Sequence, residues 1–242
     1  MTGGMGGLGE ATSIKLHDAG FAVVVTHSPN NTGTSSEWLA AMDCQGRNFR
    51  AYGVDVADYD SAQHCIAKVQ REVGPIDILV NNAGITQDTT FIKKMSKVNW
   101  NAVLRTNLDS IFNMTKLVCE EMITRSWGRI INISSVNGSK GQGQSDQPRR
   151  GQGRHARLHQ VARARSREER RDRQHDLAGL SRHQDGHRDS ARDLDTKILP
   201  QIPAGRLGKP EEVAVLVAFL CSEDAGFVTG ANIAINGGQH MH

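Results

Sequence analysis

From about residue 143 to residue 193 the chain is a run of arginine, histidine, glutamine, aspartate and glycine, with almost no large apolar side chain. A segment this polar buries too little surface to offset the entropy of ordering it. Any core must therefore come from residues 1–142 and 194–242, where short β-branched runs alternate with amphipathic stretches. A chain of 242 residues is long enough for one well-filled α/β domain. The formal charge of +3 owes much to the arginines between Arg149 and Arg192. It implies no nucleic-acid or membrane partner. A basic arm would use lysine too, and this stretch has none while mixing in Asp, Glu and His. Cys44, Cys65, Cys119 and Cys221 have neither metal-ligand nor paired spacing, which predicts no metal site and reduced thiols in a cytoplasmic protein. No apolar run in the sequence reaches the ~18 residues of a membrane span. The N-terminus is glycine-rich rather than basic then apolar, so no secretory signal is expected.

Strands are predicted over 21–26, 49–54, 76–80, 129–133 and 231–235, and helices over 10–19, 37–44, 61–73, 100–122 and 211–220, the last opened by Pro210. This alternation predicts a single doubly wound α/β domain, with a parallel sheet covered by helices on both faces. Residues 1–142 would form its nucleotide-binding part and 194–242 its closing helix and strand. A phosphate-binding glycine loop needs a strand before it to aim it, yet Met1 stands directly against Thr2. The first strand is expected to be truncated, with the natural start upstream.

Thr2-Gly3-Gly4-Met5-Gly6-Gly7-Leu8-Gly9 fits the pattern T-G-x-x-x-G-x-G. Its glycines allow a tight turn and a close approach to pyrophosphate, whose charge is met by helix N-terminal amides. Asn81-Asn82-Ala83-Gly84 directly follows the predicted strand 76–80. Small residues at a strand's carboxyl end leave room for a nucleotide, although Asn and Gly also suit a simple turn. Together these motifs resemble the short-chain dehydrogenase/reductase family, which implies a Rossmann-type sheet and a nicotinamide dinucleotide. By that resemblance Thr2, Gly3, Gly7, Leu8, Gly9, Asn82, Ala83 and Gly84 line the cofactor site. Asp55 and Val56 match the adenine-contacting pair. Asn107, in Arg105-Thr106-Asn107-Leu108, matches the catalytic asparagine that supports a proton-relay water. Ser135, in Asn132-Ile133-Ser134-Ser135-Val136, matches the serine that holds the substrate carbonyl.

The stretches 127–138, 81–88 and 236–241 are more closely similar to the acetoacetyl-CoA reductases of polyhydroxyalkanoate synthesis. That similarity implies an acyl-CoA substrate near Asp88 and Gln142, and a homotetramer. Thr26-His27-Ser28, at the end of the predicted strand 21–26, carries no acid to repel a 2′-phosphate. NADPH is expected ahead of NADH, although no arginine follows to grip the phosphate.

The family's chemistry also needs a tyrosine to protonate the developing alkoxide and a lysine one turn later to lower its pKa. Spacing from Ser135 puts them at positions 148 and 152, where this chain has Pro148 and Gln152; its two tyrosines, Tyr52 and Tyr59, lie far upstream. Read one base later, the codons of residues 146–153 permit threonine, asparagine, alanines and a lysine. Those of residues 172–181 permit a strand and a proline-glycine turn. Only position 148 resists, since its shifted codon cannot encode tyrosine without a further change. A frame change near residues 143–145, restored near 190–193, accounts for the anomalous composition. With one strand truncated and an internal strand expected to be lost, the chain as written is expected to fold poorly and to be inactive.

Overall fold

The computed structural model describes residues 1–86, 95–135, 176–178 and 199–240. Helix α1 (Gly7–Asp18) leads into β1 (Val24–His27), α2 (Thr32–Asp43) and β2 (Arg50–Gly53). Then come α3 (Tyr59–Glu72), β3 (Ile78–Asn81), α4 (Lys97–Leu104), α5 (Ser110–Thr124) and β4 (Arg129–Ser134). Three residues form β5 (Asp176–Ala178), and α6 (Pro210–Cys221) and β6 (Asn232–Ala234) complete the order.

Among the described residues all strand pairs are parallel, in the orders β1-β2 and β3-β4-β5-β6. Residues 1–4 join the two groups. Thr26 N donates to Met1 O at 3.0 Å and Gly4 N to Thr26 O at 3.2 Å, while Thr2 N donates to Val80 O at 3.0 Å. The Met1 amine donates to Val24 O at 2.6 Å, and burial lowers its pKa to about 6. Residues 1–4 thus bridge the two strand groups without forming a strand of their own. The internal strand expected to be lost is present in part, a correction to the sequence reading. Asn132 pairs with Asp176, Ile133 with Leu177 and Ser134 with Ala178. Parallel ladders are built from main-chain groups, so three residues of atypical composition suffice to continue one.

The pleat sorts the core. Val80 and Ile131 pack with Leu8 and Leu16 of α1 and Val213, Val217 and Leu220 of α6. Leu79 and Ile130, their neighbours in sequence, pack on the other face with Ile66 and Val69 of α3 and Met114, Val118 and Met122 of α5. Successive side chains of a strand point to opposite faces, so each strand serves both layers of a doubly wound fold. A smaller cluster of Val25, Trp38, Met42 and Phe49 fixes α2 against β1. Among the described residues no helix is long and apolar enough to cross a membrane.

One difference from the sequence reading matters for the site. The single helix expected over 100–122 is interrupted by a π-helical turn, Arg105–Asp109. Such a one-residue expansion is invisible to a 3.6-residue periodicity and often sits at functional sites.

The entry to α6 gives a pH prediction. Arg206 Nη1 and Nη2 donate to both Glu212 carboxylate oxygens at 2.7 and 2.6 Å, and Lys209 N donates to Oε2 at 2.7 Å. The Arg206 guanidinium, then the Lys209 amide, hold Glu212 down to about 2. A carboxylate depressed on folding adds stability that is complete above its unfolded pKa and is lost as pH falls through the folded one. Urea midpoints of the wild-type chain are expected to fall between about pH 4.5 and 2 more steeply than those of Glu212→Gln. Equal slopes would show that this pair does not stabilise the fold.

Candidate active site

Parallel strands bring their carboxyl ends to one edge, and ligands of open α/β sheets bind there. Residues 1–2, bonded to both strand groups, release the glycine loop at that edge. The register Asn81↔Asn132 brings residues 82–84 and 134–135 out beside each other.

The loop and the Asn-Asn-Ala-Gly motif are locked together. Thr2 Oγ1 accepts from Asn82 N and Ala83 N, both at 2.9 Å. Asn82 Nδ2 donates back to Thr2 O at 3.1 Å and Gly3 O at 3.0 Å. Thr2 is 2 % exposed, so its side chain serves as a brace. Gly3 has φ +59°, and a Cβ there would stand 3.2 Å from Ala83 Cα; only glycine takes that conformation and that spacing at no cost. A Cβ on Gly9 would collide with Gly3 O and lie 3.0 Å from Asn82 Nδ2. Leu8 points into the core at 6 % exposure, leaving only its backbone at the loop. Helix α1 begins after Gly6 with no side-chain cap. Gly9 N donates to Gly6 O at 2.8 Å, which leaves the N–H groups of Gly7 and Leu8 as the first-turn donors that an anion can use.

Asn81 braces the neighbouring strand through its side-chain amide. Its Nδ2 donates to Asn132 Oδ1 at 2.8 Å inside the sheet and lies 3.4 Å from Thr115 Oγ1 of α5. The signal was two asparagines in otherwise apolar strands, which buried polar groups occupy only in pairs.

Asn107 sits in the π turn. Its Oδ1 accepts from Ile85 N at 2.8 Å and its Nδ2 donates to Ile85 O at 2.9 Å. A Cβ on Gly84 would lie 3.4 Å from the same Oδ1. This two-point clamp holds the chain just past Gly84 against the helix. Asn107→Ala strands a backbone donor and an acceptor, which costs about 1–3 kcal/mol. A urea midpoint shifted by that amount at unchanged m-value is expected, and an unshifted midpoint would contradict the clamp.

Asp55 and Val56 form a turn rather than an open surface. Asp55 Oδ1 accepts from Ala57 N at 3.0 Å, and Asn113 Nδ2 donates to Val56 O at 3.0 Å. Arg105 Nη2 donates to Ala57 O at 3.3 Å, tying this turn to the π turn of Asn107. At the end of β1, His27 Nδ1 lies 2.8 Å from Ser28 O, and residues 26–34 hold no carboxylate. Ser135 directly follows β4 and is exposed. Asp88, Gln142, Pro148 and Gln152 lie outside the described residues.

The sequence model of short chain dehydrogenases matches residues 1–146, and the one described as enoyl-(acyl carrier protein) reductase matches residues 180–240. The chain belongs to the short-chain dehydrogenase family. It is 43% identical over 250 residues to the acetoacetyl-CoA reductase of Cupriavidus necator, covering 100% of this chain and 97% of that one. It is 35% identical over 262 residues to the 3-oxoacyl-(acyl-carrier-protein) reductase FabG of Escherichia coli, covering 100% and 96%. The crystal structure of gox2181 superposes with a TM-score of 0.87 at 25% identity, covering 98% of this chain and 93% of that one. A short-chain dehydrogenase is an NAD(P)-dependent oxidoreductase, so the braced loop at the carboxyl edge belongs to a reductase that uses a nicotinamide cofactor.

Proposed function

We propose that this chain has the layout of an NADPH-dependent reductase of acetoacetyl-CoA, giving 3-hydroxybutyryl-CoA, and that as written it binds the dinucleotide without turning it over. The observation that carries the binding half is the reciprocal bracing of Thr2 and Gly3 by Asn82 and Ala83. It holds the glycine loop open before any ligand arrives. The residues present fit a dinucleotide phosphate. Among the described residues nothing stands within 4 Å of a Cβ on Gly6 and no side chain caps α1, and Gly7 has φ +46°. Gly3, Gly7, the Leu8 backbone and Gly9 would receive the pyrophosphate, and Asp55 and Val56 would border the adenine. Ala83 and Gly84 would leave room for the ribose. The carboxylate-free corner at 26–34 favours NADPH over NADH.

The nicotinamide, when bound, supplies the hydride. Ser135 would orient the keto oxygen, and Asp88 and Gln142 would face the acyl-CoA. Asn107 would act through the backbone it holds, keeping a proton-relay water in place. The proton itself needs a donor near neutrality. Proline at 148 offers none, and glutamine at 152 has no charge with which to tune one. The two family matches stop at residue 146 and resume at residue 180, on either side of this pair. That gap supports reading 143–193 as an out-of-frame segment within one domain. The intact enzyme would be a cytoplasmic homotetramer.

A second reading, reduction of 3-oxoacyl groups on a carrier protein, is favoured by the Escherichia coli relative. Comparing acetoacetyl thioesters of CoA and of carrier protein, on a version read in the shifted frame, separates the two. The proposal expects the CoA ester to be the better substrate by kcat/KM; a preference for the carrier-protein ester reverses it.

A further inference from the structure

We propose that Trp38 is a positioning residue for the phosphate-binding loop, its indole N–H holding the Glu10 carboxylate away from the anion site at the start of α1. This rests on the reading above, that the loop receives the dinucleotide phosphates. Glu10 lies in the first turn of α1. The N-terminus of a helix attracts any anion, from its own chain or from a ligand. Glu10 is therefore a built-in competitor for the amides that the pyrophosphate needs, and a like charge beside it.

The geometry shows what restrains it. Trp38 Nε1, on α2, donates to Glu10 Oε2 at 2.8 Å. The indole is 9 % exposed and tilts against Phe49 with ring centroids 5.0 Å apart. Met5, in the middle of the glycine loop, is partly buried against the same cluster of Val25, Trp38, Met42 and Phe49. The cluster around one fixed side chain thus borders the loop on one side while its N–H holds the carboxylate that follows the loop on the other. A tryptophan held by packing offers its single donor in one direction only, so the carboxylate is drawn toward α2.

The test is a double-mutant cycle on dinucleotide binding, read by NADPH fluorescence at low and high salt, with the chain as written. Trp38→Phe keeps an aromatic ring and removes the N–H. It is expected to weaken NADPH about fivefold, the scale of one screened charge interaction at a surface. The loss should shrink at high salt. Glu10→Gln is expected to bind at least as tightly as the parent. The double variant should return to the Glu10→Gln value, because no carboxylate is left to restrain. A double variant as weak as Trp38→Phe, or a salt-independent loss, would assign Trp38 to packing alone and overturn the proposal. So would unchanged binding in Trp38→Phe. A parent chain that binds neither NADPH nor NADH would instead overturn the reading of the loop on which this rests.

Discussion

Gly9→Ala is expected to weaken NADPH binding by about a hundredfold or more and to lower the melting temperature by several degrees. The added methyl would collide with the Gly3 carbonyl oxygen, with Asn82 Nδ2 and Gly3 C both at 3.0 Å. Two of those three contacts are backbone of the loop, which cannot swing aside as a side chain could. Two effects oppose each other. Alanine gains about 1 kcal/mol over glycine in helix propensity, and Gly9 lies within α1. Overpacking a close contact costs about 1–3 kcal/mol, and here the loop must shift to relieve it. The shift breaks the Asn82 bonds to Thr2 O and Gly3 O, so the overpacking term wins. The difference, a loss of up to about 2 kcal/mol, corresponds to as much as roughly 8 °C for a domain of this size. Binding suffers more than stability, since the misplaced loop is the phosphate site itself. Fluorescence titration with parallel thermal melts checks both; a variant that binds NADPH within threefold of wild type would show that the loop does not hold the phosphates.

Reading residues 143–193 in the shifted frame, with a tyrosine codon at 148, is expected to raise acetoacetyl-CoA-dependent NADPH oxidation by about 10³-fold or more. Proline at 148 and glutamine at 152 supply neither a proton donor nor the cation that tunes one. Hydride delivery without a proton leaves an alkoxide, and positioned general acids contribute about 10²–10⁴ to such steps. The shifted frame also replaces a polar run with apolar residues able to cover β4 and β6, so stability should rise together with rate. Pro148→Tyr with Gln152→Lys alone, in the present frame, should recover far less, because the run around the pair offers few apolar side chains to pack it against a core. Equal recovery by that double substitution would mean that the segment already holds the active-site geometry.

What the sequence shows and hides follows from where the information sits. The glycine loop and the Asn-Asn-Ala-Gly turn were legible because their function depends on residue type, on glycine at φ +59° and on amides that bridge backbones. The two covered faces of the sheet were legible in the alternation of strands with helices, and the continuous apolar run of β3 sends Leu79 and Val80 to opposite cores. The π turn at Asn107 was not, since it inserts one residue into an apolar pattern without disturbing the composition. Nor was the role of residues 1–2, which join the half-sheets largely through main-chain atoms that any sequence possesses, with the Thr2 hydroxyl added on one side. Residues 176–178 joined the ladder for the same reason, against the expectation drawn from their polar surroundings. The Glu10–Trp38 bond spans 28 positions and leaves no local signature. Leu8 and Thr2 matched their motif, but both side chains serve packing and bracing.

Titration of the unaltered chain with NADPH, followed by acetoacetyl-CoA in the same cuvette, separates dinucleotide binding from turnover. Saturable binding is expected in the nicotinamide fluorescence, and then no consumption of NADPH after the thioester is added. Absence of binding would mean that the braced loop is not a dinucleotide site. Sustained oxidation would mean that a proton donor other than the family's tyrosine completes the reaction in this chain.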